Sequence, residues 1–94
     1  MSTFFMFGKY SSEAIKGISN ERTEKAKNII KKYGGELKSA YALLGGNDLV
    51  LIVDFPDVKQ TIKTSISLHK LTGISFSTYP AVTVDQFDKI VAEI

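Results

Sequence analysis

Apolar residues crowd the start of the chain in Thr3–Tyr10, TFFMFGKY, a stretch rich in aromatics and too short for a buried helix; it predicts a strand. Ser11 and Ser12 suit a helix cap. Ala14, Ile15 and Ile18 then form an apolar stripe. Beyond a break near Gly17–Asn20, Ala26, Ile29, Ile30 and Tyr33 continue it at helical spacing, and Gly34–Gly35 stop it in a left-handed turn. Glu36–Leu44 alternates early and reads as a strand. The run Gly45-Gly46-Asn47-Asp48 is a turn signal, with the glycines and Asn47 expected at positive φ, and it leads into a second strand, Leu49–Phe55, so the pair forms a hairpin. Pro56–Asp57 ends that strand. Asp57 with Gln60 has the form of a capping box, and Val58, Ile62, Ile66 and His69 fall on one helical face, expected to be the buried one, before Gly73 closes the helix. Ile74–Pro80 alternates Ile74/Phe76 with Ser75/Ser77 as a fourth strand. Thr83 with Gln86 opens a short last helix striped by Phe87, Ile90, Val91 and Ile94.

The order β-α-β-β-α-β plus a terminal helix predicts an α+β, ferredoxin-like split βαβ domain spanning residues 1–94, with two helices on one face of a four-stranded antiparallel sheet. Strands in such a sheet alternate apolar inward and polar outward. Phe4, Phe5, Met6 and Phe7 do not, nor do Leu49, Val50, Leu51, Ile52 and Val53. In this topology the first and third strands are central, so surplus apolar surface is expected in the middle of the open face. Four or five such side chains left in water forfeit on the order of 10 kcal/mol, comparable to a whole domain's stability. A patch of that kind marks an interface. The expectation is a symmetric homodimer with sheets face to face and helices outside; the other reading folds the last helix across the same face within one chain.

Composition narrows the chemistry. The 94-residue chain is 44% hydrophobic and 23% charged, enough to fold around one core. It has no cysteine and one histidine, which argues against thiol chemistry, iron–sulfur clusters and a histidine-rich metal centre, so no metal or cofactor is expected. The longest apolar run, Leu49–Val53, is far below the roughly 20 residues of a spanning helix, and the N-terminus lacks a basic signal-peptide region. The expectation is a soluble cytoplasmic domain without a membrane partner. Residues 9–38 carry eight Lys or Arg against four Glu, but the lysines interleave with glutamates at helical spacing and the chain has one arginine, so a solvated helix face is expected rather than a nucleic-acid partner.

The segments Phe4–Ser11, Ala26–Gly35, Tyr41–Val50, Pro56–Asp57 and Gly73–Ala81 together resemble the GYD domain family of the dimeric α+β barrel superfamily over nearly the whole chain. The signature tyrosine is replaced by Asn47, between Gly46 and Asp48, so that tyrosine's role does not carry over. The resemblance implies the fold and the dimer and no particular chemistry.

Candidate functional residues follow from residue type. Asp48 is an acid or base candidate, although turn chemistry alone accounts for Gly45–Asp48. His69, beside the expected apolar helix face, could face a pocket between helix and sheet and is the candidate general base. Tyr10 joins them as a catalytic candidate. Lys9, Tyr41 and Tyr79, at strand ends and borders, are candidates for ligand contact. No spacing rule ties these residues together, and no triad or carboxylate pair is present in the pattern. The leading expectation is a non-enzymatic homodimeric module that binds a small apolar or aromatic ligand or serves interaction; the alternative is a cofactor-free monooxygenase- or isomerase-like enzyme.

Overall fold

The structure is a computed structural model and describes residues 1–94. Strand β1 (Ser2–Tyr10) is followed by helices α1 (Ser12–Lys16) and α2 (Asn20–Lys32), the hairpin β2 (Glu36–Ala42) and β3 (Leu49–Phe55), helix α3 (Val58–Thr72), strand β4 (Ile74–Ala81) and helix α4 (Val84–Ala92). The sheet order is β2-β3-β1-β4, antiparallel at every pairing, which is the ferredoxin-like arrangement.

Register sorts the side chains. Phe4 pairs with Val53 and Met6 with Leu51, on the face that meets α2 and α3. These four, with Phe55, Ile30 from α2 and Leu68 from α3, form one buried core. Phe5 pairs with Ile52 and Phe7 with Val50, on the opposite face. The doubled apolar surface of the two central strands is therefore real, and no helix covers its outer half.

The break expected near Gly17–Asn20 separates α1 from α2, where the Ser19 hydroxyl accepts from the Arg22 backbone N–H at 3.0 Å. Gly34 and Gly73, at φ 80° and 76°, end α2 and α3 in the left-handed region. Strand β2 stops at Ala42 rather than Leu44. The connection then spans residues 43–48, closed by the Leu43 N–H donating to the Asp48 carbonyl at 2.8 Å. A connection this long needs no tight mirror-image turn, and Gly45, Gly46 and Asn47 all keep negative φ, contrary to the sequence expectation.

Helix α3 corrects a second expectation. Its buried face is Thr61, Thr64, Leu68 and Thr72, whereas Val58, Ile62 and Ile66 are 60%, 54% and 53% exposed. Asp57 accepts from the Gln60 N–H at 2.8 Å without the reciprocal side-chain bond, so only half of that capping box forms. Thr83 and Gln86 form both halves of theirs at the start of α4. Helix α4 does not lie across the sheet: none of its residues is buried, and its apolar stripe runs from 46% exposed at Ile90 to 100% just beyond the helix at Ile94. A compact chain of this length has a radius of gyration of about 12 Å. The observed 14.2 Å, with extents of 48 × 30 × 18 Å, reflects this elongation.

Candidate functional site

Between α2 and the sheet lies a cavity of about 140 Å³ lined by 14 residues, 10 of them hydrophobic. Its apolar walls include Ala26 and Ile30 from α2, Leu37 and Ala40 from β2, Leu49 and Leu51 from β3, and Ile74 and Phe76 from β4. The register brings the strand residues together on the helix-facing side: Ala40 pairs with Leu51, Tyr10 with Ile74, and Gly8 stands between Leu49 and Phe76. Tyr10, Arg22, Thr23, Lys27 and Thr72 supply its polar edge.

Two of those polar groups are fully engaged by their own backbone. The Thr72 hydroxyl donates to the Leu68 carbonyl at 2.7 Å and accepts from the Ile74 N–H at 3.1 Å, and the Thr23 hydroxyl donates to the Ser19 carbonyl at 3.1 Å. Arg22, the chain's one arginine, spends one guanidinium nitrogen on the Ala14 carbonyl at 2.6 Å, tying α1 to α2. Its other donors, and Lys27, which is paired with Glu24 at 3.3 Å in an exposed bridge, give this edge a positive charge. An apolar slot with positive charge at one edge suits a small ring bearing an anionic substituent. Arg22, Lys27 and the aliphatic walls had no signal in the sequence beyond ordinary helix and strand patterning, because the cavity joins residues from 10 to 76.

The sequence candidates fall in three places. Tyr10 alone lines the cavity. Asp48 touches Tyr10 through the backbone: its carboxylate accepts the Tyr10 N–H at 2.9 Å, while the Asp48 N–H donates to the Gly8 carbonyl at 2.8 Å. It clamps the start of β3 to the end of β1. His69 is exposed at the end of α3, in a shallow groove with Ser65, Ile66, Ser75 and Phe76. Its Nδ1 lies 2.9 Å from the Ile74 carbonyl oxygen, which can only accept, so Nδ1 carries the proton. Lys9, Tyr41 and Tyr79 lie on the opposite sheet face, since Lys9 pairs with Ser75, Tyr41 with Val50 and Tyr79 with Phe5. There Phe7 meets Tyr79 edge-on at 5.9 Å and lies tilted against Phe5 at 6.4 Å, forming an aromatic surface rather than a pocket. No three His, Cys, Asp or Glu side chains gather where they could hold a metal ion, and no helix is long and apolar enough to cross a membrane.

The GYD domain family model matches residues 4–91. No curated protein matches the chain. Among solved structures, FFRP-DM1 is similar at 25% identity and TM-score 0.61, over 87% of this chain and 100% of its own. The leucine response regulatory protein of Mycobacterium tuberculosis is similar at 10% identity and TM-score 0.58, over 87% of this chain and 51% of its own. An AsnC family transcriptional regulator from Agrobacterium tumefaciens is similar at 20% identity and TM-score 0.58, over 86% and 50%. The chain spans about half the length of these two regulators, and at such identities they share its fold alone.

Proposed function

The chain belongs to the GYD domain family, and we propose that it works as a homodimeric ligand-binding module whose helix–sheet cavity takes a small aromatic molecule bearing an anionic group. The observation that carries this reading is the cavity itself. Its volume, about 140 Å³, is close to the roughly 150 Å³ known to hold a benzene-sized guest when lined by Leu, Ile and Phe. Arg22 and Lys27 at one edge favour a carboxylate on that guest over a neutral ring.

The open face supports the homodimer. Phe5, Phe7 and Ile52 are already mostly covered by their neighbours and Val50 is buried, so a second copy would gain well under half of the transfer energy expected from the sequence, about 3 kcal/mol per protomer. Association itself costs about 4–15 kcal/mol. The sheet face is thus sufficient for recognition and thin for a tight dimer.

Thermal denaturation with benzoate and phenylacetate, compared with toluene, tests the ligand reading. A ligand at a hundred times its Kd adds about 2.7 kcal/mol of stability. The carboxylates are expected to raise Tm and Ala26→Phe, which fills the slot, to abolish the rise. No shift with any aromatic compound overturns the assignment.

A further inference from the structure

Besides the open sheet face, two apolar surfaces of this chain have no partner within it. One is the stripe of α4, Val84, Phe87, Ile90 and Val91. The other is the groove between α3 and the edge strand β4, where the exposed Val58 and Ile62 stand over Phe4, Phe76 and Pro80. We propose that these two surfaces are each other's partners across the homodimer: α4 of one protomer seats in the α3–β4 groove of a second copy. The proposal rests on the sheet-to-sheet dimer put forward above and says what completes it.

Charge is complementary. Helix α3 carries Lys59, Lys63 and Lys70 and no acidic residue, and its helical spacing sets these lysines along one side of the Val58–Ile62–Ile66 stripe. Helix α4 carries Asp85 and Asp88 against Lys89, and Glu93 follows as its C-cap. Opposite charges thus flank the two stripes. Length matches too: α4, at 9 residues, is about 14 Å long, and the α3 stripe covers about 12 Å.

Position allows the reach. Helix α4 leaves the edge strand on the open side of the sheet, where Gln86 sits beside Thr3 and Phe5. Stacked sheets lie about 10 Å apart, so α4 starts on the side of the sheet that a face-to-face partner would occupy.

Area gives the same answer. Four strands about 4.8 Å apart and about 25 Å long present roughly 480 Å². A standard interface takes about 800 Å² from each partner. A helix of this length and about 10 Å width covers about 150 Å², and each protomer contributes one helix and one groove, which closes the gap.

The chain has no cysteine, so engineered thiols report cleanly. Full-length Ile62→Cys and Val91→Cys variants are mixed under mild oxidation. Effective concentration in a docked pair should make their mixed disulfide form about a hundredfold faster than that of a Lys31→Cys and Val91→Cys mixture. Asp88→Lys should slow the link about twofold, and Lys63→Glu in the acceptor should restore it. Sedimentation of the unmodified chain separates the two levels. A dimer with no preferred Ile62–Val91 link overturns the seating of α4 and leaves the sheet-face dimer standing. A monomer with no link overturns both. A link that forms within a single Ile62→Cys, Val91→Cys chain, at a rate independent of dilution, places α4 in its own groove and overturns the exchange.

Discussion

Gly35 is held by what stands over it: a Cβ there would strike the ring of Phe55, with Cζ at 2.7 Å and Cδ1 at 2.8 Å, and Phe55 is fully buried in the core. The ring cannot step aside without opening a void. Gly35→Ala should therefore lower stability by about 1–3 kcal/mol, read as a fall in the urea midpoint at unchanged m. Tyr33 offers a different test. The Ser67 hydroxyl donates to its oxygen at 3.3 Å, and that bond, aided by the charges of Lys32 and Lys63, holds the phenol below its usual 10.0 against a desolvation that pushes the other way. Since the folded-state value is the lower one, the stabilisation is fully present only above the unfolded pKa near 10 and is lost as pH falls through the folded value. It contributes nothing at neutral pH. In an alkaline titration followed by tyrosinate absorbance, Tyr33 should ionise at a lower pH than an unperturbed tyrosine, and Ser67→Ala should move it back up.

Helix α3 shows why one element was readable and its orientation was not. Val58, Ile62 and Ile66 have the spacing of a core stripe, and Thr61, Thr64 and Thr72 look like a solvent face. The threonines bury because each hydroxyl is satisfied by the helix's own backbone: Thr61 donates to the Asp57 carbonyl at 2.9 Å, Thr64 to that of Gln60 at 2.9 Å and Thr72 to that of Leu68 at 2.7 Å. Satisfied in this way, a threonine packs like the valine it resembles in shape. Thr64→Val should be neutral or slightly stabilising, because the partner carbonyl keeps its helical bond. Thr64→Ala should cost about 1–2 kcal/mol by leaving a gap at a fully buried site, and the two unfolding curves together separate packing from polarity. By contrast, caps, glycine stops and the apolar doubling of β1 and β3 were legible, because they depend on neighbours in sequence or on the strand period of two. The cavity was not, since only the fold brings Tyr10, Arg22, Leu49 and Phe76 to one place.

At the scale of the molecule, one chain leaves three apolar surfaces unmatched: the aromatic face of Phe5, Phe7 and Tyr79, the α3 stripe and α4. A sheet with one dry face and one aromatic face is what the proposed face-to-face partner would complete. Ile52→Asp puts a charge at the centre of that face, half-buried already in the single chain, and should convert the assembly to monomers while leaving the helix-side core intact in far-ultraviolet dichroism. The most direct test is sedimentation equilibrium of the unmodified chain at micromolar concentration. A species of twice the 10.4 kDa chain mass, reduced to the chain mass by Ile52→Asp, is the expected result. A stable particle at the single-chain mass across that range would contradict it.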